Sequence, residues 1–499
     1  MTRHLTRRTA LFGAGAVAGG VMSGLAVGKL APGRPSLAGT TSLVPEGAAG
    51  TLNDASGLME TPIARHATLS QDPGEALIAA LRKEMAEARA AGRPVNIGAA
   101  RHSMGGQAIP PRGHAVTFDA AALELDSDAG IMRVHAGARW RQVIAALDPR
   151  GFGPKVMQSN HDFGVAATFC VNAHGWPVKQ GPMGATVRSF ELLTPQGDVI
   201  TCSRSENADL FGMTMGGYGL TGAILRMDVE VARNQRLEPQ FESLPARDFG
   251  PRFVEAIGDG AVNMAYGRLN VDRGQFFDEA LMITYRPTDD QDGLEPASGS
   301  GLMAHMASHL YRAQLHNEPM KRLRWWTEST VLPQLAGPVT RNSLINEPVA
   351  TLDDRDPTRT DILHEYFVAP ERFADFVDLC QRVIPASYQE FLNVTLRFVD
   401  ADTTSWLSYA PVPRIAAVMS FSQEMTARAE ADMARMTRDL IEGVIGISGT
   451  YYLPYRPHAT RDQFQRAYPR AQEYAAAKRA LDPDLLFRSV FWDNYLEAS

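Results

Sequence analysis

Ile97-Gly98-Ala99-Ala100-Arg101-His102-Ser103-Met104-Gly105-Gly106-Gln107 is the stretch whose reading decides the fold. Val95-Asn96-Ile97-Gly98 predicts a short strand that runs into a loop of small residues. In such a loop backbone N–H groups converge into an anion nest, and small side chains let the main chain approach a diphosphate closely. Ser103 adds a hydroxyl, and His102 stands where an imidazole faces whatever lies beside that diphosphate. Taken alone, the stretch also reads as a tight turn with a surface histidine.

Working outward, Leu77, Ile78, Leu81 and Met85 recur at helical spacing up to Gly92 and Pro94. Strands follow at 115–118 and 131–135, then a helix over 139–147. A hairpin joins 190–194 to 199–202 through Pro195-Gln196-Gly197-Asp198. A short helix over 207–215 and a strand over 223–231 complete an α+β unit. Two more small-residue loops lie inside it. One runs from Gly164 through Val165, Thr168 and Cys170 to His174 and Gly175. The other, Gly217-Tyr218-Gly219-Leu220-Thr221-Gly222, fits the GxGxxG spacing, but a helix precedes it and a strand follows, the reverse of a Rossmann site.

These three loops, in this order, resemble the vanillyl-alcohol-oxidase-type flavoproteins, also called the para-cresol-methylhydroxylase (PCMH) type. Residues 97–107 resemble the Gly-x-Gly-His-Ser-x-x-Gly-Gln loop of cytokinin dehydrogenases and the Gly-x-x-His-Ser loop of alditol oxidases. Residues 189–232 carry the hairpin, the Cys-Ser-x-x-x-Asn-x-x-Leu-Phe run and the Gly-Gly-x-Gly-x-x-Gly-x-Ile run of the same proteins. The resemblance implies an α+β fold: a two-subdomain FAD-binding domain of the PCMH type, an α+β substrate (cap) domain, and a C-terminus that returns to the FAD domain. The implied cofactor is FAD. Ala99, Ala100, Arg101, His102, Ser103, Met104, Gly105 and Gln107 would hold its diphosphate. Gly164, Val165, Thr168, His174, Gly175, Gly219, Gly222 and Ile224 would line the rest, with Ile224 near adenine. His102 matches the histidine that bonds covalently to flavin in alditol oxidases and cytokinin dehydrogenases. Cys170 does not match the second attachment point of bicovalent relatives.

The C-terminal run His458-Ala459-Thr460-Arg461, with Phe464, Tyr468-Pro469, Asp482-Pro483 and Phe487, is similar to alditol and aldonolactone oxidases. Those carry a lysine where Arg461 stands, and a Glu-x-Arg pair where this chain reads Thr395-Leu396-Arg397. The catalytic aspartate of cytokinin dehydrogenases is not evident around Gln158-Ser159-Asn160-His161. The implied activity is oxidation of an alcohol-type substrate (sugar, alditol or sugar lactone) by hydride transfer to flavin N5, with O2 or a quinone-like acceptor taking the electrons. Arg397 is the expected electrostatic partner, Arg461 a further catalytic candidate, and Glu365, His458 and Tyr452 are candidate bases. The missing glutamate also admits a hydrophobic or lipid-like alcohol, or a flavin-binding protein without turnover. A metal-dependent hydrolase built on His102, His174 and His458 lacks any paired metal spacing.

Composition agrees with a globular protein. The 499 residues are 44% hydrophobic and 21% charged, and 49 Lys+Arg against 56 Asp+Glu leave a net charge of −7. That balance disfavours nucleic acid as a partner. Three cysteines show no metal or disulfide pattern. Arg7-Arg8-Thr9-Ala10-Leu11-Phe12 opens an apolar Gly/Ala run with no acidic residue before Glu46. It reads as a twin-arginine export signal, hence a periplasmic or extracellular protein without a stable membrane span. The expected division is 1–38 signal, 39–61 linker, 62–238 FAD domain, 239–448 cap domain and 449–499 returning segment.

Overall fold

The strand that launches the decisive loop, Val95–Gly98, is one edge of a three-stranded parallel sheet. His114–Phe118 lies at its centre and Arg65–Leu69 at the other edge. The helix Glu75–Ala90 crosses between the two edge strands, burying Leu77, Leu81, Met85 and Ala88. The computed structural model describes residues 40–299, 311–348 and 356–497, so the proposed export signal lies outside the described residues.

A second, antiparallel sheet runs in the order Val199–Ser203, Val187–Leu193, Ala223–Arg233, Ile131–His135, Leu123–Asp126, with Phe152–Pro154 paired to Ala223–Arg233. The expected hairpin is its first pair. The helix Ala208–Thr214 precedes the GxGxxG run and the strand Ala223–Arg233 follows it. One apolar core fills the space around these two sheets.

The third sheet has eight strands: Val339–Thr340, Arg236–Pro245, Glu279–Pro287, Met264–Leu269, Glu390–Val399, Arg414–Glu424, Arg359–Val368 and Thr450–Tyr451. The helices Phe249–Gly258, Phe373–Val383 and Ala427–Gly446 bury aromatic and aliphatic faces in its core. The strand register aligns several polar residues. Arg268 pairs with Thr395, and Thr395 and Glu365 both pair with Val418. Residues opposite each other in a ladder share a face, so these four side chains form one row across four strands.

Two segments differ from the sequence reading. The helix expected over 461–479 is two helices, Arg461–Ala467 and Ala471–Leu481. Pro469 lacks the N–H that a continuous helix needs and disfavours helical geometry at Tyr468. The described part of the expected linker, 40–61, is tied to the fold at several points. Leu43 N–H donates to Met425 O at 2.8 Å, Thr360 Oγ1 donates to Ser56 O at 2.8 Å, and Thr51–Leu52 pairs with Thr61–Pro62. Its small polar residues bond to backbone on both sides, which composition alone does not reveal.

The C-terminus comes back to the parallel sheet. Val95 N–H donates to Leu486 O at 2.6 Å, and Phe487 bridges to Val95. Among the described residues no helix is long and apolar enough to cross a membrane.

Candidate FAD site

The loop 99–107 is braced from behind. Ala55 N–H lies 3.1 Å from Arg101 O and 3.3 Å from Ser103 O, and Gly106 N–H donates to the Asp54 carboxylate at 2.9 Å. The C=O and N–H of a trans peptide point opposite ways, so tying Arg101 O to the 40–61 segment turns the His102 N–H away from it. From the other side Met104 N–H donates to Pro454 O at 2.7 Å. Gln107 bonds inward at both ends of its amide: Oε1 accepts from Gly105 N–H at 2.9 Å, and Nε2 donates to Leu453 O at 2.6 Å. Its side chain is thus a brace between the loop and 451–456 instead of the diphosphate ligand expected from sequence.

The second small-residue loop presses against the first. A Cβ on Gly164 would sit 2.5 Å from the Ala99 Cβ, and one on Gly175 would sit 2.0 Å from Met157 O. Only glycine permits either approach. The Thr168 hydroxyl donates to Val165 O at 2.7 Å and accepts from the Trp140 indole at 3.0 Å, so it shapes the loop.

Together the loops enclose a cavity with about 1510 Å³ of empty space, counting its open mouth. Ala99, Ala100, Arg101, His102, Ser103 and Gln107 line it from the first loop. Gly164, Thr168 and His174 line it from the second, and Gly219, Gly222 and Ile224 from the third. Met104, Gly105, Val165 and Gly175 are not on the lining; they set the loops' shape from behind. Phe163, on the lining, packs its ring 4.4 Å from the His102 imidazole.

The large sheet closes the far end with Leu363, Glu365, Arg397 and Val418, and the C-terminal segment adds Tyr452, Pro454 and Tyr455. Here the structure makes a pairing that the sequence reading missed: His174 Nε2 bonds to Glu365 Oε1, with both side chains buried. Tyr455 donates to Glu365 Oε2 at 3.2 Å. His174 Nδ1 is buried without a partner. Arg397 donates to Ser159 Oγ at 2.8 Å and to His174 O at 3.4 Å, leaving Nε without a partner. Burial pulls its guanidinium below the usual arginine range, while the Glu365 charge opposes that shift. A sequence separation of 191 hides the contact from any local motif.

Three expected catalytic residues are reassigned. Tyr452 lines the cavity, its hydroxyl donates to Val171 O at 2.8 Å, and burial pushes it well above the tyrosine range. Arg461 is outside the lining, its guanidinium donating to Asn494 O and Asp493 O. His458 is also off the lining, held between Thr437 Oγ1 at 3.1 Å and Glu430 Oε1 at 2.8 Å. At the position of the family glutamate, the Thr395 hydroxyl accepts from Arg268 at 2.7 Å. Burial raises the Cys170 thiol to about 12, so it stays protonated. Among the described residues no cluster of His, Cys, Asp and Glu is arranged to hold a metal.

The Glu430 cluster supplies a pH test. Burial raises the Glu430 carboxyl, but the hydrogen bond from His458 and the charge of Arg456 outweigh it and bring it from 4.5 down to about 2. A depressed carboxylate stabilises the fold above pH 4.5 and loses that contribution as pH falls toward about 2. Urea unfolding of wild type and Glu430→Gln should therefore show a stability gap at pH 6 that narrows through this window. A gap unchanged by pH would refute the pairing.

The fit to FAD rests on three observations: a glycine-permitted approach of two loops, a backbone turned by bracing, and buried cationic nitrogens without partners. Known proteins point the same way. Residues 77–203 match the FAD binding domain family. Cytokinin dehydrogenase 7 of Oryza sativa subsp. japonica is 34% identical over 136 residues, a quarter of each chain. Alditol oxidase of a Streptomyces species is 30% identical over 171 residues, 32% of this chain and 39% of the relative. Decaprenylphosphoryl-beta-D-ribose oxidase of Mycolicibacterium smegmatis is 24% identical over 408 residues, 76% of this chain and 84% of the relative. The match thus spans well under half of the first and second of these and most of the third. With the loop geometry, these similarities identify residues 77–203 as an FAD-binding domain of the PCMH type.

Proposed function

We propose that this protein is an exported FAD-dependent oxidoreductase that oxidises a CH–OH group and passes the electrons to O2 or a quinone-like acceptor. One observation carries the reading: a single cavity joins the diphosphate loop to a buried His174–Glu365 pair and Arg397. Bound FAD would supply the hydride acceptor. With its proton on Nε2, directed at Glu365, His174 presents Nδ1 as the free acceptor for the substrate hydroxyl proton. Glu365 orients the imidazole and stabilises the imidazolium that forms, the logic of a triad carboxylate. Arg397 stabilises negative charge on the substrate oxygen or its neighbour. In this reading 62–238 holds the cofactor in two subdomains, 239–448 caps it, 449–499 closes the seam, and 1–38 directs export.

A specific observation favours the lipid-like or otherwise hydrophobic alcohol over a free polyol. Several polar heads at the far end are spent on protein partners: Glu365 on His174 and Tyr455, and Tyr452 on Val171 O. Leu363, Val418 and the rings of Tyr452 and Tyr455 line that end beside the few polar atoms left without a partner, Gln158 Oε1, His174 Nδ1 and Arg397 Nε. A polyol needs several unspent partners, since each unpaired hydroxyl buried there costs about 1–3 kcal/mol. The test is anaerobic bleaching of the flavin by two panels, sugars and alditols against long-chain and aromatic alcohols. Bleaching by the second panel supports this substrate class, and bleaching by the first alone returns the sugar reading. Bleaching by neither, with photoreduction intact, favours the binding protein without turnover.

Covalent attachment through His102 is part of the proposal, supported by the packing that fixes its ring beside Phe163. After acid precipitation the flavin colour should stay with the pellet, and His102→Ala should move it to the supernatant. Colour in the wild-type supernatant would refute the bond.

A further inference from the structure

Arg101 occupies a backbone position that suits glycine. Its φ is 53°, in the left-handed region that L side chains seldom adopt. The cytokinin dehydrogenase loop has glycine at this place, directly before the histidine. The side chain adds a second cost. It folds under Gly98, where a Cβ would lie 2.9 Å from the guanidinium carbon. Its hydrogen bonds go only to neutral acceptors: Nε to Ala108 O at 3.3 Å and Nη1 to Thr117 Oγ1 at 3.1 Å.

Nη2 is buried without any partner. Among the described residues Arg101 forms no ion pair with a carboxylate. The charges that act on it or feel it are cationic or titrate to cations: Arg139 lowers its pKa, and it lowers that of His66. Burial brings the guanidinium down to about 10, so it remains charged at neutral pH. A buried cation in a strained backbone, beside a second arginine whose Nη1 also lacks a partner, is poorly stabilised by the protein alone. Yet it lines the cavity at the loop whose main chain is turned toward an anion.

We infer that the Arg101 side chain is itself a ligand for the cofactor's diphosphate, adding a direct charge contact to a loop otherwise built from backbone N–H groups. The inference rests on the FAD reading. It explains why arginine is tolerated at a glycine position, because the strain and desolvation are offset only when the dianion is present. Arg139 lies behind Gly164 and reinforces the local positive potential.

The test uses full-length protein in a His102→Ala background, so that no covalent bond masks affinity. FAD and ADP dissociation constants are measured at low and high salt for the parent, Arg101→Gly and Arg101→Lys, with unfolding temperatures of each apoprotein. Losing a charge-assisted contact should weaken FAD about tenfold or more. ADP, which shares the diphosphate, should show the same loss, and the salt dependence should shrink. Arg101→Lys should fall between, and apo Arg101→Gly should melt no lower than the parent, because glycine suits the backbone. FAD affinity of Arg101→Gly within about twofold of the parent would overturn the inference, as would a loss matched by a lower apo melting temperature. A parent that binds no FAD would instead defeat the FAD reading itself.

Discussion

Glu365→Gln should lower the rate of flavin reduction by about 10²–10⁴-fold, the usual range for a positioned acid–base group, while leaving FAD in place. The introduced glutamine side chain is nearly the same size as the glutamate, so the packing against His174 and Tyr455 survives. What disappears is the negative charge that holds the imidazole proton on Nε2 and stabilises the imidazolium. The amide can also present its NH2 to Nε2, which forces the proton to Nδ1 and removes the acceptor of the proposed mechanism. Stopped-flow reduction with the alcohol that bleaches the flavin measures the effect. A rate within a few-fold of wild type, with unchanged FAD content, would leave the His174–Glu365 pair a packing feature and move the base elsewhere.

Asp482→Ala should cost about 3–5 kcal/mol of stability, the range for breaking a buried ion pair by removing one partner. Asp482 and Lys478 are bonded to each other and almost wholly buried. Burial already pulls the Lys478 ammonium below its ordinary range, so losing the carboxylate leaves an uncompensated charge. The same carboxylate accepts from Leu486 N–H at 3.0 Å and Phe487 N–H at 2.8 Å. Those residues place Leu486 O on Val95 N–H, at the start of the strand that launches the cofactor loop. The substitution should thus reduce FAD retention as well as the urea midpoint. A loss below about 1 kcal/mol, against that expected range, would mean that the C-terminal return is held by its apolar residues alone.

Local features of the FAD side were legible because each element is short and punctuated. The helix 75–90 shows its apolar face in the spacing of Leu77, Leu81 and Met85, and the hairpin shows its turn. The loops that line the cavity were legible from their small residues, since close approach leaves no alternative chemistry. The His174–Glu365 contact was not, because the two residues come from different parts of the fold and meet only when it is assembled. His458 and Arg461 were attractive through resemblance, but their side chains are occupied by Glu430, Thr437 and the carbonyls of residues 493–494. Gln107 reads as a ligand in the motif and is a brace in the fold, as a residue with both amide ends bonded must be. The segment 40–61 looked like a linker because hydrogen bonding to distant backbone leaves no periodic signature.

The most direct test of the FAD assignment is the visible absorption spectrum of the purified protein, taken before and after incubation with FAD and gel filtration. Flavin bands at stoichiometric occupancy, bleached anaerobically by an alcohol substrate, are the expected result. A protein that stays colourless after reconstitution would contradict it, because the cavity between the three small-residue loops would then have no cofactor to hold.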